Sequence, residues 1–548
     1  MAISKIKIQN FKSYKGIFTL YLNQGLNILV GDNESGKSTI LEAIHVALTG
    51  YYHGHNIRNE LSQYLFNNEA VLEYITSVRS GKAIAPPTIL IEIFFDAPMD
   101  AELFEGNENT DKETKVEGLQ FKIAYDEKYN DEYQKIIESK NLTSLPIEYY
   151  EVSWNTFARK TITTKSIPVK SAMIDSSNYY YQNGSDVYIS HIVKDILSLE
   201  EITTIAQAHR NMVDFFSEAK AIENINKKIT AEASMSNGSI SLSANLGTKN
   251  AWEHSLLTQV DGIPFGFVGK GTQCAIKTEL ALSNRRAQKA GIILLEEPES
   301  HLSFSHLNQL IMSISQKCTD RQILISTHSS YVANKLGLEN LILLNDHRIT
   351  RLSELESTEF FRKMSGYDTL RLILCKRAIL VEGDSDELIV QKAYMVSHNG
   401  RLPIQDGIDI ISVGTAFLRF LEIAEKLHKD TAVITDNDGD VSALEKKYSN
   451  YIGDNKKDYI EISYDEEVDT GDLIIGKSPY NYNTLEPKLL KVNDLATFNE
   501  IFGTSYADDD GLRTYMQHHK TDCALAIFDT KKKVNFPKYI SEVINKNE

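Results

Sequence analysis

Apolar residues in this chain collect in short blocks, and stretches of helical composition separate many of them. Near the start the pattern predicts strands over Ala2–Ile8, Ile17–Leu22 and Leu26–Val30, the last running through a glycine loop into a helix over Thr39–Leu48. Two later blocks, Ile292–Leu295 and Gln322–Ser326, read as further buried strands of the same region. A second series begins near Cys375. It predicts a strand over Ala378–Val381, a helix from about Asp386 to Ser397, a strand over Ile408–Ser412, a helix from about Ala416 to His428, and a strand over Ala432–Thr435. Apolar runs alternating with helices indicate a mostly parallel, doubly wound sheet covered on both faces.

The stretch Tyr51–Val260 is less regular. Gly106–Lys115 is polar and reads as a loop, while Ser190–Glu232 has helical composition with Ile192, Ile196 and Leu199 apolar. This predicts a helical insertion over about 190–260, serving as a dimerisation surface or as a plain surface bundle. No internal repeat stands out.

Length and composition narrow the class. A chain of 548 residues is too long for one ordinary core. Hydrophobic content of 42% with 24% charged residues belongs to a globular protein. No apolar run approaches the roughly 18–20 residues of a membrane span, and the opening MAISKIKIQNFKSYKG has no signal-peptide pattern. The expectation is a cytoplasmic protein without membrane contact. Cys274, Cys318, Cys375 and Cys523 are far apart and form no C-x-x-C, which argues against a structural zinc site or a disulfide framework. The net charge of −17 sits against a generally basic nucleic-acid surface. The acids are dense from Lys376 onward, where they form either a solvated face or a set of metal ligands whose cations reverse the local sign.

The first chemistry lies in Gly31-Asp32-Asn33-Glu34-Ser35-Gly36-Lys37-Ser38, which matches G-x-x-x-x-G-K-[ST] between a predicted strand and a predicted helix. Glycines let backbone N–H groups turn inward around phosphate at a helix N-terminus. Gly31, Asn33, Gly36, Lys37, Ser38 and Thr39 are the nucleotide-binding candidates, with Lys37 for the β- and γ-phosphates and Ser38 for Mg²⁺. Downstream, the apolar block Ile292–Leu295 ends in Glu296 and Glu297. Glu296 is the candidate for the Mg²⁺ shell and Glu297 for the base that orients the attacking water. His328 follows another buried strand and is a candidate γ-phosphate sensor.

These residues resemble the ABC-type ATPase heads of SMC and RecF proteins, whose first strand and turn also match Ile6-Lys7-Ile8-Gln9-Asn10-Phe11-Lys12. The resemblance implies ATP held between two subunits, with a signature loop from the second. Gly269-Lys270-Gly271-Thr272-Gln273 lies in the right place for that loop but departs from the usual Ser-Gly-Gly-Gln; a plain glycine turn is the other reading. No long coiled coil separates the two halves of the head.

In the second region, Val381-Glu382-Gly383-Asp384-Ser385-Asp386 follows a strand, and Thr435-Asp436-Asn437-Asp438 follows another. Acids at neighbouring strand ends converge at the C-terminal edge of a parallel sheet, where open α/β folds bind ligands. Carboxylates there repel one another unless hard divalent cations sit among them. The pair resembles the Toprim domain. An ABC-like head followed by Toprim resembles the OLD (overcoming lysogenization defect) family of nucleases, which includes the nuclease subunit of the Gabija antiphage system. The implied fold is α/β: an ABC/SMC-like ATPase head over 1–370, then a doubly wound Toprim nuclease domain over 371–548. By that resemblance Glu382, Asp386, Asp436 and Asp438 are metal ligands, Glu486 is a later acidic ligand, and Lys520 stabilises phosphate charge, with Lys531-Lys532-Lys533 as a competing basic cluster. Glu297, Glu382 and Lys520 are then the catalytic candidates. The implied activity is an ATP-hydrolysing, Mg²⁺- or Mn²⁺-dependent DNA endonuclease or nickase in antiphage defence. The implied assembly is a homodimer or larger homo-oligomer, with a helicase-like protein or a retron (a reverse transcriptase with its DNA) as further partner. The rivals are a Toprim topoisomerase-like enzyme, which needs a tyrosine in a DNA-gate domain, and a non-catalytic ATP-dependent DNA clamp or sensor.

Overall fold

The computed structural model describes residues 2–53, 55–82, 84–96, 101–138, 140–175, 181–182, 185–186, 197–232, 242, 257–283, 291–300, 302–317, 321–345, 348–352 and 355–547. The chain forms two compact units. The first is Met1–His328 with Ile342–Ile349, and the second is Ser329–Leu341 with Thr350–Glu548. The second unit therefore takes in residues well before position 371.

The first unit holds two sheets. One is antiparallel, in the order Tyr14–Tyr21, Ile3–Phe11, Ile89–Phe95, Val116–Tyr125, with Glu105–Gly106 and Tyr150–Thr156 also paired to Val116–Tyr125. A polar side chain buried in it is paired rather than left bare. Glu92 is fully buried and accepts from Thr110 N, Thr110 Oγ1 and Gln120 Nε2. The other sheet runs Ser171–Asp175, Ile292–Glu296, Gln322–Ser326, Leu26–Gly31, Leu341–Asn345, Arg348–Arg351, and the first four strands are parallel. Leu26–Gly31 is buried along its whole length, as a strand covered on both faces must be. The helix Lys37–Thr49 lies over this core with Ile40, Leu41, Ala43, Ile44, Ala47 and Leu48 fully buried. Gln322 ties the two sheets: its Oε1 accepts from Ile3 N at 2.8 Å and its Nε2 donates to the carbonyls of Ile3 and Asn23, each at 2.8 Å. The expected helical insertion contains Leu199–Glu218, opened by a Ser198/Glu201 capping box, and Lys220–Glu232. Most of the rest of the stretch assigned to it, including Ile192 and Ile196, lies outside the described residues.

The second unit is built on a parallel sheet in the order Ile408–Ser412, Arg377–Val381, Asp430–Ile434, Ile460–Ser463. Helices Asp384–Ser397 and Phe417–Leu427 make the crossovers. One face of the sheet, with Ile379, Val381, Ala432 and Ile434, packs on Leu489, Phe498, Leu512, Ile527 and Ile540 from helices that follow the last strand. Helix Ser330–Leu336 belongs to this unit. Its buried Asn334 donates to Tyr367 O at 2.7 Å and accepts from Thr369 Oγ1 at 2.6 Å.

Candidate functional site

The glycine loop begins where the buried strand ends at Gly31 and closes where the helix begins at Lys37. Both motif glycines are required by space. A Cβ on Gly31 would overlap the Leu344 carbonyl oxygen, and one on Gly36 would stand 2.5 Å from the Tyr14 hydroxyl oxygen, with Gly36 at φ 93° besides. Lys37 is screened from solvent and donates to the carbonyls of Gly31 and Asp32, each at 2.9 Å. Burial lowers the basicity of its ammonium; Glu297, Asp32 and Glu296, in that order, act against the shift. The acids after Leu295 therefore stand close enough to act on the loop lysine. Asn33 is exposed, Ser38 is half-buried, and Thr39 is buried and accepts from Ser13 Oγ at 3.1 Å.

Glu296 is the last residue of its strand and faces Ser326 in the parallel ladder. Glu297 turns away at φ 40°, and its N–H donates to Ser326 O at 3.0 Å. Its Oε1 lies 3.5 Å from His328 Nε2. The sequence-assigned base and sensor are thus neighbours. Glu299 was missed: its Oε1 accepts from Thr327 Oγ1 at 2.6 Å and from His328 N at 3.0 Å. The Glu-Glu-Pro-Glu run held the signal, but a third acid in a loop reads as a solvated side chain. Gly269 and Gly271 lie at the start of helix Lys270–Ser283, where Gln273 bonds locally, N–H to Gly269 O at 3.0 Å and Nε2 to Val268 O at 2.7 Å.

In the second unit the acids stand at the C-terminal ends of adjacent parallel strands. Glu382 follows Arg377–Val381 and is exposed. Asp386, in the first turn of the next helix, accepts from Gly383 N at 3.0 Å. Asp436 follows Asp430–Ile434 and accepts from Leu485 N at 3.3 Å. Asp438, at φ 50°, accepts from Asn481 Nδ2 at 3.0 Å. Glu486, buried in helix Leu485–Lys491, accepts from Thr484 Oγ1 at 3.2 Å and lies 3.2 Å from Lys520 Nζ. The electrostatics show that these groups converge. Burial is the largest cause pushing Asp436 well above the usual carboxylate range, and the charges of Asp386, Glu486, Asp438 and Glu382 add to it. Asp386 is pushed up to about 6, by burial first and then, against the Gly383 N–H, by Glu486 and Glu382. Of the competing basic residues, Lys532 pairs with Glu500 instead.

A second layer holds these acids. Asn437, between the two aspartates, donates through Nδ2 to the carbonyls of Asp465 at 2.5 Å and Glu467 at 3.1 Å. Lys488, only 2% exposed, pairs with Asp465 at 2.8 Å and Asp469 at 2.7 Å. Among the described residues no three acids, imidazoles or thiolates already stand at metal-ligating spacing. The donor set nonetheless suits a hard divalent cation: five converging carboxylates offer only oxygen, and the lysine beside Glu486 is one positive charge against them. Among the described residues no helix is long and apolar enough to cross a membrane.

Residues 5–239 match the family model of an AAA domain, and residues 373–438 match that of the overcoming lysogenization defect protein-like TOPRIM domain. The second match takes in Glu382, Asp386, Asp436 and Asp438 and stops before Glu486 and Lys520. The DNA replication and repair protein RecF of Clostridium novyi is 34% identical over 84 residues, 15% of this chain and 23% of that one, so the chain spans less than a quarter of that relative. The retron Vc95 probable ATPase of Vibrio cholerae is 22% identical over 447 residues, 73% of this chain and 84% of that one. Among solved structures, an Smc head bound to the C-winged helix domain of ScpA aligns with 64% of this chain and 98% of its own at 16% identity, with a TM-score of 0.33.

Proposed function

For a chain that joins an AAA-type ATPase domain to an OLD-like Toprim domain, we propose an ATP-binding and ATP-hydrolysing, metal-dependent DNA endonuclease or nickase. The observation that carries the reading is the convergence of Glu382, Asp386, Asp436, Asp438 and Glu486, with Lys520 beside Glu486, in a chain that also holds the Gly31–Ser38 loop. In the first unit, the N–H groups of the loop and the N-terminus of helix Lys37–Thr49 take the phosphates. Lys37 exchanges the Gly31 and Asp32 carbonyls for β- and γ-phosphate oxygens. Ser38 and Glu296 would hold Mg²⁺, Glu297 orients and deprotonates the attacking water, and His328 contacts the γ-phosphate. Gly269 and Gly271 complete the site from a second copy of the chain, with the helices within 190–260 as a standing dimer contact.

In the second unit the five acids would hold Mg²⁺ or Mn²⁺, which supplies an activated water and charge neutralisation at a phosphodiester. Lys520 stabilises charge that develops on the phosphate, and Glu486 holds that lysine in place until substrate arrives. The printed name of the Vibrio relative, a retron probable ATPase, supports a retron as partner; the proposal adds a role in antiphage defence in the cytoplasm, with a helicase-like protein as the other candidate partner. The test is incubation of the purified full chain with supercoiled plasmid and Mg²⁺ or Mn²⁺. Ligase-sealable nicks or linear product are expected. A changed linking number without breaks would indicate a topoisomerase-like enzyme instead, and untouched plasmid a clamp or sensor.

A further inference from the structure

The two loops that carry Glu297 and His328 leave neighbouring strands, and the ladder that keeps those strands in register ends at Glu296 opposite Ser326. Beyond that point two side chains must act on one water, so the loops need another tie. One backbone bond continues, from Glu297 N to Ser326 O at 3.0 Å. The ladder goes no further, because Glu297 leaves the extended backbone at φ 40°. Glu299 supplies the next tie with its side chain. Its Oε1 takes both the Thr327 hydroxyl, at 2.6 Å, and the His328 N–H, at 3.0 Å. Its Oε2 is shielded from solvent and has no hydrogen-bond partner among the described residues.

We infer that Glu299 is a positioning residue of the ATP site: its carboxyl group fixes the peptide plane between Thr327 and His328 and so holds the His328 ring against Glu297. The inference rests on the roles given above to Glu297 and His328. A hydrogen bond to the His328 N–H sets the direction in which its Cα–Cβ bond leaves the backbone. The 3.5 Å separation of His328 Nε2 from Glu297 Oε1 depends on that direction. The base is itself held on its far side, where Ser300 Oγ donates to Glu297 Oε2 at 3.3 Å. Glu299 thus does for the sensor what Ser300 does for the base. Burial is the main reason its acid is weakened, with the nearby Glu297 charge a smaller one, so a neutral group with the same oxygen can serve. A displacement of about 1 Å among groups that must meet one water costs about a hundredfold in rate, and it spares the phosphate contacts that set affinity.

The experiment measures steady-state ATP hydrolysis, MgATP affinity by calorimetry, and melting, all on the full chain. The variants are Glu299→Ala, Glu299→Gln, His328→Ala and the Glu299→Ala/His328→Ala pair. Glu299→Ala is expected to lower kcat about a hundredfold with KM and MgATP affinity changed by less than about threefold. Glu299→Gln restores most of that loss, since its amide oxygen accepts from the same two donors. The double variant is no slower than His328→Ala, because Glu299 acts through His328. The inference is overturned by wild-type kcat in Glu299→Ala, by Glu299→Gln as slow as Glu299→Ala, or by losses that multiply in the double variant. Should Glu299→Ala unfold, Thr327→Val removes one donor and almost no volume; a kcat unchanged in that variant overturns the inference too. Lys37→Ala separates the two levels. Hydrolysis unaffected there removes the ATP-site reading itself, whereas hydrolysis lost there but normal in Glu299→Ala removes only the role of Glu299.

Discussion

The two candidate sites of this chain are opposite in how their charges are settled. The nucleotide loop satisfies itself: Lys37 is capped by the loop's own carbonyls, and Glu297 rests against His328 and Ser300. The acidic site does not. Burial, and after it the charges of neighbouring carboxylates, raise the proton affinity of Asp436 and Asp386, and the lysine beside Glu486 sits at the rim, about half exposed. The first site is a shape waiting for phosphate. The second is a charge imbalance that a divalent cation would relieve. A site of the first kind is written in glycines at fixed spacing. A site of the second kind is written in acids whose meaning depends on which strands lie side by side.

The comparison breaks most sharply if one mutation disables both sites. Asp436→Ala with Asp438→Ala should lower plasmid nicking by roughly a hundredfold to a thousandfold or more, by analogy with loss of other transition-state charge stabilisers. ATP hydrolysis should stay within a few-fold. Phosphate release and nicking are read from one preparation, and a double variant that still nicks removes the Toprim-nuclease reading. Gly36→Ala is the next largest test. The added methyl meets the Tyr14 ring and demands a left-handed backbone that costs about 1–2 kcal/mol outside glycine, so MgATP affinity should fall about tenfold or more. Calorimetry checks it, and undiminished affinity would mean the loop is not the phosphate cradle.

A smaller effect tests the charge imbalance directly. With chelator present, Asp436→Asn removes one of the mutually repelling acids and should be more stable than the wild type by about 1–2 kcal/mol, visible as a rise of a few degrees in the melting of the second unit. With millimolar Mg²⁺ or Mn²⁺ the order should reverse, since only the wild type gains binding energy in the folded state. A variant that is less stable under both conditions would show that Asp436 is held by its bond from Leu485 N rather than strained by its neighbours.

Legibility in the sequence follows the same division. Leu26–Val30 and Ile292–Leu295 stood out because strands of a covered parallel sheet are apolar throughout, and the structure extends each by one residue, to Gly31 and Glu296. The antiparallel strands Ile89–Phe95 and Val116–Tyr125 were not read. Their polar members, Glu92, Gln120 and Lys122, break the run, and it takes the fold to show that Glu92 is buried on partners from Thr110 and Gln120. Strand Ile460–Ser463 is short and carries Glu461, so it gave little signal. In the sites, motif spacing reached the loop, Glu296, Glu297 and the Toprim acids, and resemblance alone suggested Glu486 and Lys520, which the fold brings within 3.2 Å of each other. Asn437 and Lys488 could not be found from sequence, and Glu299 only as one more acid in the Glu-Glu-Pro-Glu run, because each owes its meaning to backbone groups at least twenty residues away.

The smallest effect sharpens the comparison by its sign. Near the nucleotide loop, His45 sits on helix Lys37–Thr49 with its Nδ1 3.0 Å from Ser171 Oγ, and burial pushes its imidazole down to about 4. The unfolded chain, with the ordinary value near 6.5, takes up the proton first, so this stabilisation is complete above pH 6.5 and is lost as pH falls toward 4. Asp386 runs the other way. Its folded carboxyl titrates near 6 and its unfolded one near 3.8, so the folded state takes up the proton first. Its contribution is absent above pH 6 and grows as pH falls toward 3.8. Mild acid should therefore loosen the first unit and tighten the second, each by about 1–2 kcal/mol, a change of roughly ten- to twentyfold in local opening. Hydrogen exchange on the full chain in chelator, at pH 7 and pH 5 and corrected for intrinsic rate, reads both at once. Protection of Lys37–Thr49 should fall and that of Asp430–Ile434 should rise. His45→Gln should flatten the first response alone and Asp386→Asn the second alone. If both segments lose protection together and neither substitution changes its own response, the two sites do not differ in the way their charges are settled.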